Sequence, residues 1–253
     1  MADLDRRFGG VLRLYGEPGA ARLRAAHVCV IGIGGVGSWV AEALARTGIG
    51  HITLIDLDMV AESNTNRQIH ALEENFGKAK VEAMAERIRS INPTCVVTCV
   101  EDFLTPDNVS QLISPHFDVV IDAIDQVRAK TALIAHCKRQ GIPIIVGGAA
   151  GGQLDPMRIT SCDLSQTTQD PLLAKVRSSL RRDFNFPRNK GKKFGVTAVF
   201  STEPLRYPDK GTACEANPGP QGLNCAGFGS AVCVTSVFGM VAASIAINRL
   251  AGL

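Results

Sequence analysis

A chain of 253 residues with 27 Lys and Arg, 24 Asp and Glu and a net charge of +3 is large enough for one generous domain and close to neutral overall. Its 45% hydrophobic content and eight cysteines describe an ordinary globular protein. A disulfide-stapled secreted scaffold is not expected, because residues 1–17 are polar and show no apolar stretch. Cytoplasmic thiols are therefore expected, and with no C-x-x-C pair in the sequence a structural zinc is not.

Residues 1–27 set Arg6, Arg7, Arg13, Arg22 and Arg24 around Leu12, Leu14, Tyr15 and Leu23, the pattern of a helical arm lying on the domain or on a partner subunit. The run Val28-Cys29-Val30-Ile31 then breaks into Gly32-Ile33-Gly34-Gly35-Val36-Gly37. It reads as a strand, a tight turn and a helix start. Gly32 serves the turn, Gly34 and Gly35 the close approach of a ligand, and Gly37 the packing of helix on strand. The free N–H groups and partial positive charge of the helix start suit a phosphate. Asp56 ends the next strand, 52–56, and lies 24 residues beyond Gly32, where a carboxylate for ribose hydroxyls is expected.

Residues 58–68 are too polar for a core strand and read as a functional loop. Residues 77–91 have helical period, ended by Asn92-Pro93. Residues 95–100 form a third strand, and Thr105 caps a further helix with Pro106 in its first position. A fourth strand over 117–125 ends in acid, a helix follows over 128–139, and 142–146 is a fifth strand. This alternation specifies an α/β fold, a Rossmann-like, doubly wound, mostly parallel sheet covered on both faces. Ligands bind such sheets at the carboxyl ends of the strands, where Gly32, Asp56 and Asp125 all fall.

Beyond the glycines at 147–152, short antiparallel segments are expected at 153–154 and 158–162, then a helix over 171–184, a polar loop over 185–193, a strand over 196–200 and a mobile loop over 206–224. Between 171 and 193, Lys175, Arg177, Arg181, Arg182, Arg188, Lys190, Lys192 and Lys193 face Asp183 alone. That local +7, in a chain of total +3, leaves −4 elsewhere and suits a polyanion. An apolar helix over 228–250 closes the chain. Residues 228–247 carry no charge and are long enough to span a bilayer, but Gly229, Ser230, Thr235, Ser236, Gly239 and Ser244 fit a buried helix better. Cys214 and Cys225, in a Gly/Pro-rich loop, are candidates for a reactive thiol. The expected organisation is an arm (1–27), a nucleotide-binding core (28–150) and an extension (151–253), packed as one domain.

The succession Gly32-x-Gly34-Gly35-x-Gly37, Asp56-x-Asp58, Ser63-Asn64-Thr65-Asn66-Arg67-Gln68, Gly77-x-x-Lys80 and Asp122-x-x-Asp125 resembles the ubiquitin-activating-type adenylation fold. The resemblance implies ATP with Mg²⁺, and attack of a carboxylate on the α-phosphate to give an acyl adenylate and pyrophosphate. It implies that the glycines, Asp56, Asp58 and Asn64 hold the nucleotide, with Asp56 on the ribose, that Arg67 and Lys80 neutralise the phosphates, and that Asp125 carries Mg²⁺. These residue types suit such tasks: arginine grips phosphate bidentately, lysine supplies a movable point charge, and a carboxylate is a hard ligand for Mg²⁺.

End to end, including Arg7-Phe8-Gly9-Gly10, the stretch from Thr65 through Arg67 to Leu72, Gly151-Gly152-Gln153 and Asn224-Cys225-Ala226-Gly227-Phe228-Gly229, the chain is similar to the tRNA threonylcarbamoyladenosine dehydratases. Their implied reaction is ATP-dependent cyclisation of threonylcarbamoyladenosine beside the anticodon. The threonyl carboxylate is adenylated, the carbamoyl oxygen closes onto it, and AMP leaves. The zinc-binding C-x-x-C pairs of many relatives are missing. So is the arginine that relatives place about where Gly10 stands, for which Arg6, Arg7 or Arg13 could substitute from either subunit of a homodimer. On this reading the basic cluster meets tRNA phosphates, and a monovalent cation could help order the site.

The alternative is an activator of a ubiquitin-like sulfur carrier protein, with Cys225 as a sulfur relay fed by a cysteine-desulfurase-type partner. The missing zinc pairs and the basic cluster count against it. A nicotinamide oxidoreductase would leave Arg67, Gln68 and Lys80 without a task, and a membrane-tethered nucleotide sensor would use 228–247 as its anchor.

Overall fold

The computed structural model describes residues 3–189, 191–207 and 228–253. Strands β1 (His27–Ile31), β2 (His51–Ile55), β3 (Val96–Val100), β4 (Val119–Asp122), β5 (Ile144–Gly147), β6 (Ile159–Asp163) and β7 (Thr197–Ser201) form one sheet, in the order β3-β2-β1-β4-β5-β7-β6. All pairings are parallel except that of the edge strand β6 with β7. The helices are α1 (Leu4–Ala25), α2 (Gly37–Arg46), α3 (Lys80–Ile91), α4 (Val109–Leu112), α5 (Val127–Gln140), α6 (Pro171–Asp183) and α7 (Val232–Ala251).

Successive strand residues point to opposite faces, so β1 feeds two cores. Val28 and Val30 meet Leu44 of α2, Met84 and Ile88 of α3, and Phe238 and Ala242 of α7. Cys29 and Ile31 meet Leu133 of α5 and Leu172, Val176 and Leu180 of α6. Each fully buried aliphatic side chain contributes about 1.5–3 kcal/mol, which makes this central strand the anchor of both layers. Helix ends follow local chemistry. Asp170 caps α6, its Oδ1 accepting from the Leu173 N–H at 2.9 Å with Pro171 at the first position, and Gly141 ends α5 in the left-handed region at φ 71.

Helix α7 meets the length and composition of a membrane span. Here it is a core helix. Val234, Phe238, Ala242, Ala243 and Ala246 are buried, and Gly239 lies so close to α2 that a Cβ would stand 2.6 Å from the Val36 carbonyl oxygen and 2.8 Å from Trp39 Cβ. Placing α7 in a bilayer would strip the floor from one face of the sheet.

The arm lies on its own domain. It bends at Gly16 (φ 69, ψ 169) and resumes at Pro18, so that Leu23 enters the core, Tyr15 donates to Asn248 Oδ1 at 3.3 Å and the Arg22 guanidinium donates to the Ala251 carbonyl. Arg7 donates to the Ser90 and Ile91 carbonyls at 3.1 and 2.8 Å, closing the end of α3. Because α3 runs against the strands, that contact lies at the sheet edge opposite the glycine turn. Within its own chain Arg7 is therefore committed elsewhere and does not stand in for the missing nucleotide arginine.

Two expected elements differ. Residues 153–154 form no strand, because the Leu154 and Asp155 N–H groups donate to Glu203 Oε2 at 2.9 and 2.8 Å instead of to a ladder. The helix expected from Thr105 waits until Val109 and lasts four residues. Thr105 and Asn108 exchange reciprocal bonds, Thr105 N–H to Asn108 Oδ1 at 2.7 Å and Asn108 N–H to Thr105 Oγ1 at 3.3 Å, which close a turn of their own.

At the amino ends of β1 and β2 the His27 and His51 rings stack, 3.4 Å apart and 6° from parallel. Burial, reinforced by His51, lowers His27 to about 4. Burial and the charges of Lys80 and Arg87 lower His70 to about 4 as well. A histidine depressed on folding contributes stability that is complete above its unfolded value, 6.5, and is lost as pH falls towards about 4. The urea midpoint is expected to drop across that window, and His27→Asn and His70→Asn should each flatten the drop. An unchanged profile in both variants would refute the assignment.

Candidate functional site

A cleft of about 520 Å³ opens at the carboxyl ends of the parallel strands, over the glycine turn. Gly32 has φ 83, and its N–H donates to the Ile55 carbonyl at 2.9 Å, tying the exit of β1 to that of β2. A Cβ on Gly37 would run into the Gly32 carbonyl oxygen, so α2 begins in contact with the turn. Gly34 differs from both. A Cβ there would find only Gln68 Nε2, 3.9 Å away, so the space above Gly34 belongs to the cleft. Gly35 instead shares its space with Arg67, whose Cγ and Cδ would stand 3.2 and 3.3 Å from a Cβ.

Asp56 braces the turn from β2. Its Oδ2 accepts from the Ile33 N–H at 2.6 Å and its Oδ1 from the Asp58 N–H at 2.9 Å. Burial raises its carboxyl above the ordinary range, opposed by Lys80 and by those two N–H groups. Lys80, first residue of α3, places Nζ 2.7 Å from Asp58 Oδ2. The loop before α3 is closed by Asn64, whose Oδ1 accepts from the Ala61 N–H at 3.1 Å. In the same loop Arg67 donates to the Ser63 carbonyl and to Asn66 Oδ1, both at 2.8 Å. The Trp39 indole N–H donates to the Arg67 carbonyl at 3.0 Å, pinning the loop to α2. Burial lowers the Arg67 guanidinium from its usual value.

Under Asp125 lies a buried ion pair. Asp122, last residue of β4, stands 2.8 Å from Lys130 Nζ, and both side chains are fully buried. Asp122 Oδ1 accepts from the Ile124 N–H at 3.0 Å, which fixes the turn carrying Asp125 and Gln126 to the cleft. Burial pushes the Asp122 carboxyl up, and Lys130 opposes it.

Gly32, Gly34, Gly35, Asp56, Asp58, Asn64, Arg67, Lys80 and Asp125 thus line one cleft, with Gly37 beneath it. Gln68, carried by the Ser63–Gln68 motif, lines it too, and sequence reasoning overlooked Phe103, Gln126 and Gly148, together with Ser230 and Thr235 just before and within the first turn of α7. Phe103 and Gly148 follow parallel strands β3 and β5, so the rule that picks Asp56 also picks them. Ser230 and Thr235 arrive from the far tail with no local signal. Among the described residues the lining charges are Arg67 and Lys80 against Asp56, Asp58, Asp102 and Asp125. Among the described residues no three His, Cys, Asp or Glu side chains gather into a protein-only metal cage.

Residues 6–253 match the ThiF family. The chain belongs to the ThiF family. Within that family it is 57% identical over 250 residues to a tRNA threonylcarbamoyladenosine dehydratase of Escherichia coli (strain K12), covering 97% of this chain and 93% of the relative. A dehydratase of the same name from Haemophilus influenzae is 53% identical over 97% of this chain and 94% of its own length. The crystal structure of E. coli tRNA N6-threonylcarbamoyladenosine dehydratase, TcdA, in complex with ATP is similar to this structure at a TM-score of 0.89 and 55% identity, covering 98% of this chain and 96% of that one. Its AMP complex matches at 0.88.

In this ThiF-family chain the basic cluster is not one surface. Helix α6 starts beside the cleft, where Asp170 Oδ2 accepts from the Ala149 N–H at 2.8 Å, and runs away from it. Arg177 is turned inward to Thr167 Oγ1. Arg181 donates to the Pro187 carbonyl at 3.2 Å and lies over the Phe194 ring. Arg182 pairs with Asp183 at 2.8 Å, and Arg188 donates to the Arg181 carbonyl at 3.4 Å. Lys175, Lys192 and Lys193 are exposed. Arg177 and Arg181 are therefore spent on packing, because a guanidinium on the buried flank of α6 must find acceptors.

Lys190, Cys214 and Cys225, and residues 208–224 of the expected mobile loop, lie outside the described residues. The six described cysteines are free. Burial pushes Cys95 up to about 11 and Cys137 up to about 12, which leaves them inert.

Proposed function

We propose that this protein cyclises N6-threonylcarbamoyladenosine in tRNA, using ATP to adenylate the threonyl carboxylate. The convergence of Gly34, Asp56, Arg67, Lys80 and Asp125 on one cleft carries this reading, and relatives of that name along nearly the whole chain support it. ATP lies over the glycine turn, its ribose on Asp56 and its phosphates toward Arg67 and Lys80. Lys80, resting on Asp58, exchanges that carboxylate for phosphate. The substrate carboxylate bonds to the α-phosphorus as pyrophosphate leaves. The carbamoyl group then closes on the activated carbonyl and AMP departs, so the base loses one water overall. Arg67 and Lys80 stabilise the charge that develops on phosphorus, which is where catalysis of such transfers resides.

Among the described residues four lining carboxylates face two cations, a balance that positive charge entering with a triphosphate would offset. Mg²⁺ fits, since it takes one or two carboxylates and completes its shell with water and phosphate oxygens. Asp125 would hold it, and the ion would supply positive charge against the phosphates when bound. We further propose a homodimer, checked by sedimentation, and a monovalent cation that helps order the site, checked by activity in potassium against tetramethylammonium. The soluble fraction of a lysate is where the protein is expected.

Mass spectrometry of tRNA nucleosides after incubation with enzyme and ATP should show threonylcarbamoyladenosine lighter by one water. Unaltered nucleoside, with AMP release driven by a small protein ending in Gly-Gly, would point to the sulfur-carrier reading instead.

A further inference from the structure

A second cleft, of about 530 Å³, lies at the opposite edge of the sheet, between the last turns of α5 and α7 and the amino ends of β5 and β7. We infer that it seats phosphodiester backbone of the tRNA at a point remote from the modified nucleotide. The inference rests on the tRNA reading above and adds a contact surface to it.

Lys138, Gly195, Thr197, Asn248 and Arg249 line this cleft. Lys138 and Arg249 are exposed, and Lys138 Nζ donates to the Gly195 carbonyl at 3.3 Å, joining α5 to the loop that forms one wall. On that loop Lys192 and Lys193 precede Gly195 by three and two residues, and both are exposed. Arg22 reaches the same edge through the Ala251 carbonyl at the end of α7. No Asp or Glu side chain is among the described residues lining this cleft, and Asp163, next to its wall, is bound to the Phe194, Gly195 and Val196 N–H groups. Asp183 is tied to Arg182.

A basic side chain in the last turn of a helix complements the helix dipole, which accounts for Lys138 and Arg249 singly. It does not account for Lys192 and Lys193, which are exposed on the loop that leads into Gly195 in the wall of this hollow. A concave surface lined by cations from two helices, with two more exposed on the adjoining loop and no acidic side chain among its described lining residues, is the footprint of a polyanion.

Its position decides which part of the RNA it meets. Helix α6 connects the nucleotide cleft to this edge, and its 13 residues span about 20 Å. A nucleotide whose carboxylate lies over Gly34 cannot also reach Lys138. Phosphates farther along the tRNA can.

The test is filter binding of the double variant Lys138→Glu, Arg249→Glu with full-length tRNA and with an isolated anticodon stem-loop, across a salt series. Full-length tRNA should bind at least ~10-fold more weakly near physiological salt, with the salt slope shallower by about 2. Affinities for the stem-loop and for ATP should match the parent protein. The milder pair Lys138→Gln, Arg249→Gln should show the same slope change and covers any loss of fold in the charge reversal. Equal weakening of full-length tRNA and stem-loop, or no weakening of either, overturns the inference and leaves the proposed function standing. Binding to phosphatidylglycerol vesicles that is lost in the variant while tRNA binding is kept assigns the surface to a membrane and overturns it too. If the parent protein binds no tRNA, the functional reading itself falls.

Discussion

Arg67→Ala should cut AMP formation from ATP and modified tRNA by about 10²–10³-fold while leaving the urea midpoint almost unchanged, the loss typical of removing one preorganised donor from a developing charge. The contrast follows from where the arginine is bonded. Its side chain gives up two half-exposed contacts, to Ser63 and Asn66, whereas the bond that holds the loop runs from Trp39 to the Arg67 main-chain carbonyl and survives the substitution. Asp125→Ala should lose activity to a similar extent and shift the Mg²⁺ needed for half-maximal turnover upward. Full turnover in either variant would remove these residues from the chemistry. Both effects should appear in kcat as well as in kcat/KM, because the charge they meet grows during the reaction.

Lys130→Met should cost about 3–5 kcal/mol of stability, the largest loss expected from a single conservative-volume change here. It leaves Asp122 without a counter-charge in a site with no solvent, for both side chains are fully buried. Asp122→Ala should cost a comparable amount and should also loosen the turn that carries Asp125, since Asp122 Oδ1 fastens the Ile124 N–H. Removing both charges together should be milder than the sum of the two, as a double-mutant cycle by urea denaturation would read. A loss under about 1 kcal/mol for Lys130→Met would mean that Asp122 is carried neutral.

The layered α/β plan and the glycines, Asp56 and Asp125 of the cleft were legible because parallel strands put their ligand groups at one end, and sequence order alone says which residues follow a strand, whereas Asp58, Asn64, Arg67 and Lys80 came through the family resemblance. Asp56, Asp125 and the glycine turn needed nothing more. What misled was chemistry that depends on partners distant in the chain. Glu203 takes the N–H groups of Leu154 and Asp155, so an alternating stretch becomes a loop. Thr105 is a true cap in type, but Asn108 answers it within one turn, which delays the helix. The eight basic residues look like one patch in the sequence because they are close along the chain. Helix α6 carries some of them from one edge of the sheet toward the other and buries the flank that bears Arg177 and Arg181. The recruitment of Ser230 and Thr235 by the tail helix had no signature in neighbouring residues at all.

Trp39 is the one tryptophan in the sequence, and its ring nitrogen is bonded to the loop that bears Arg67, the residue proposed to meet the phosphates. Tryptophan emission from this chain therefore originates at a single point, beside a loop that lines the cleft proposed for ATP. Titration followed by intrinsic fluorescence would report nucleotide occupancy with no dye attached, and a tyrosine background of two residues is too small to obscure it.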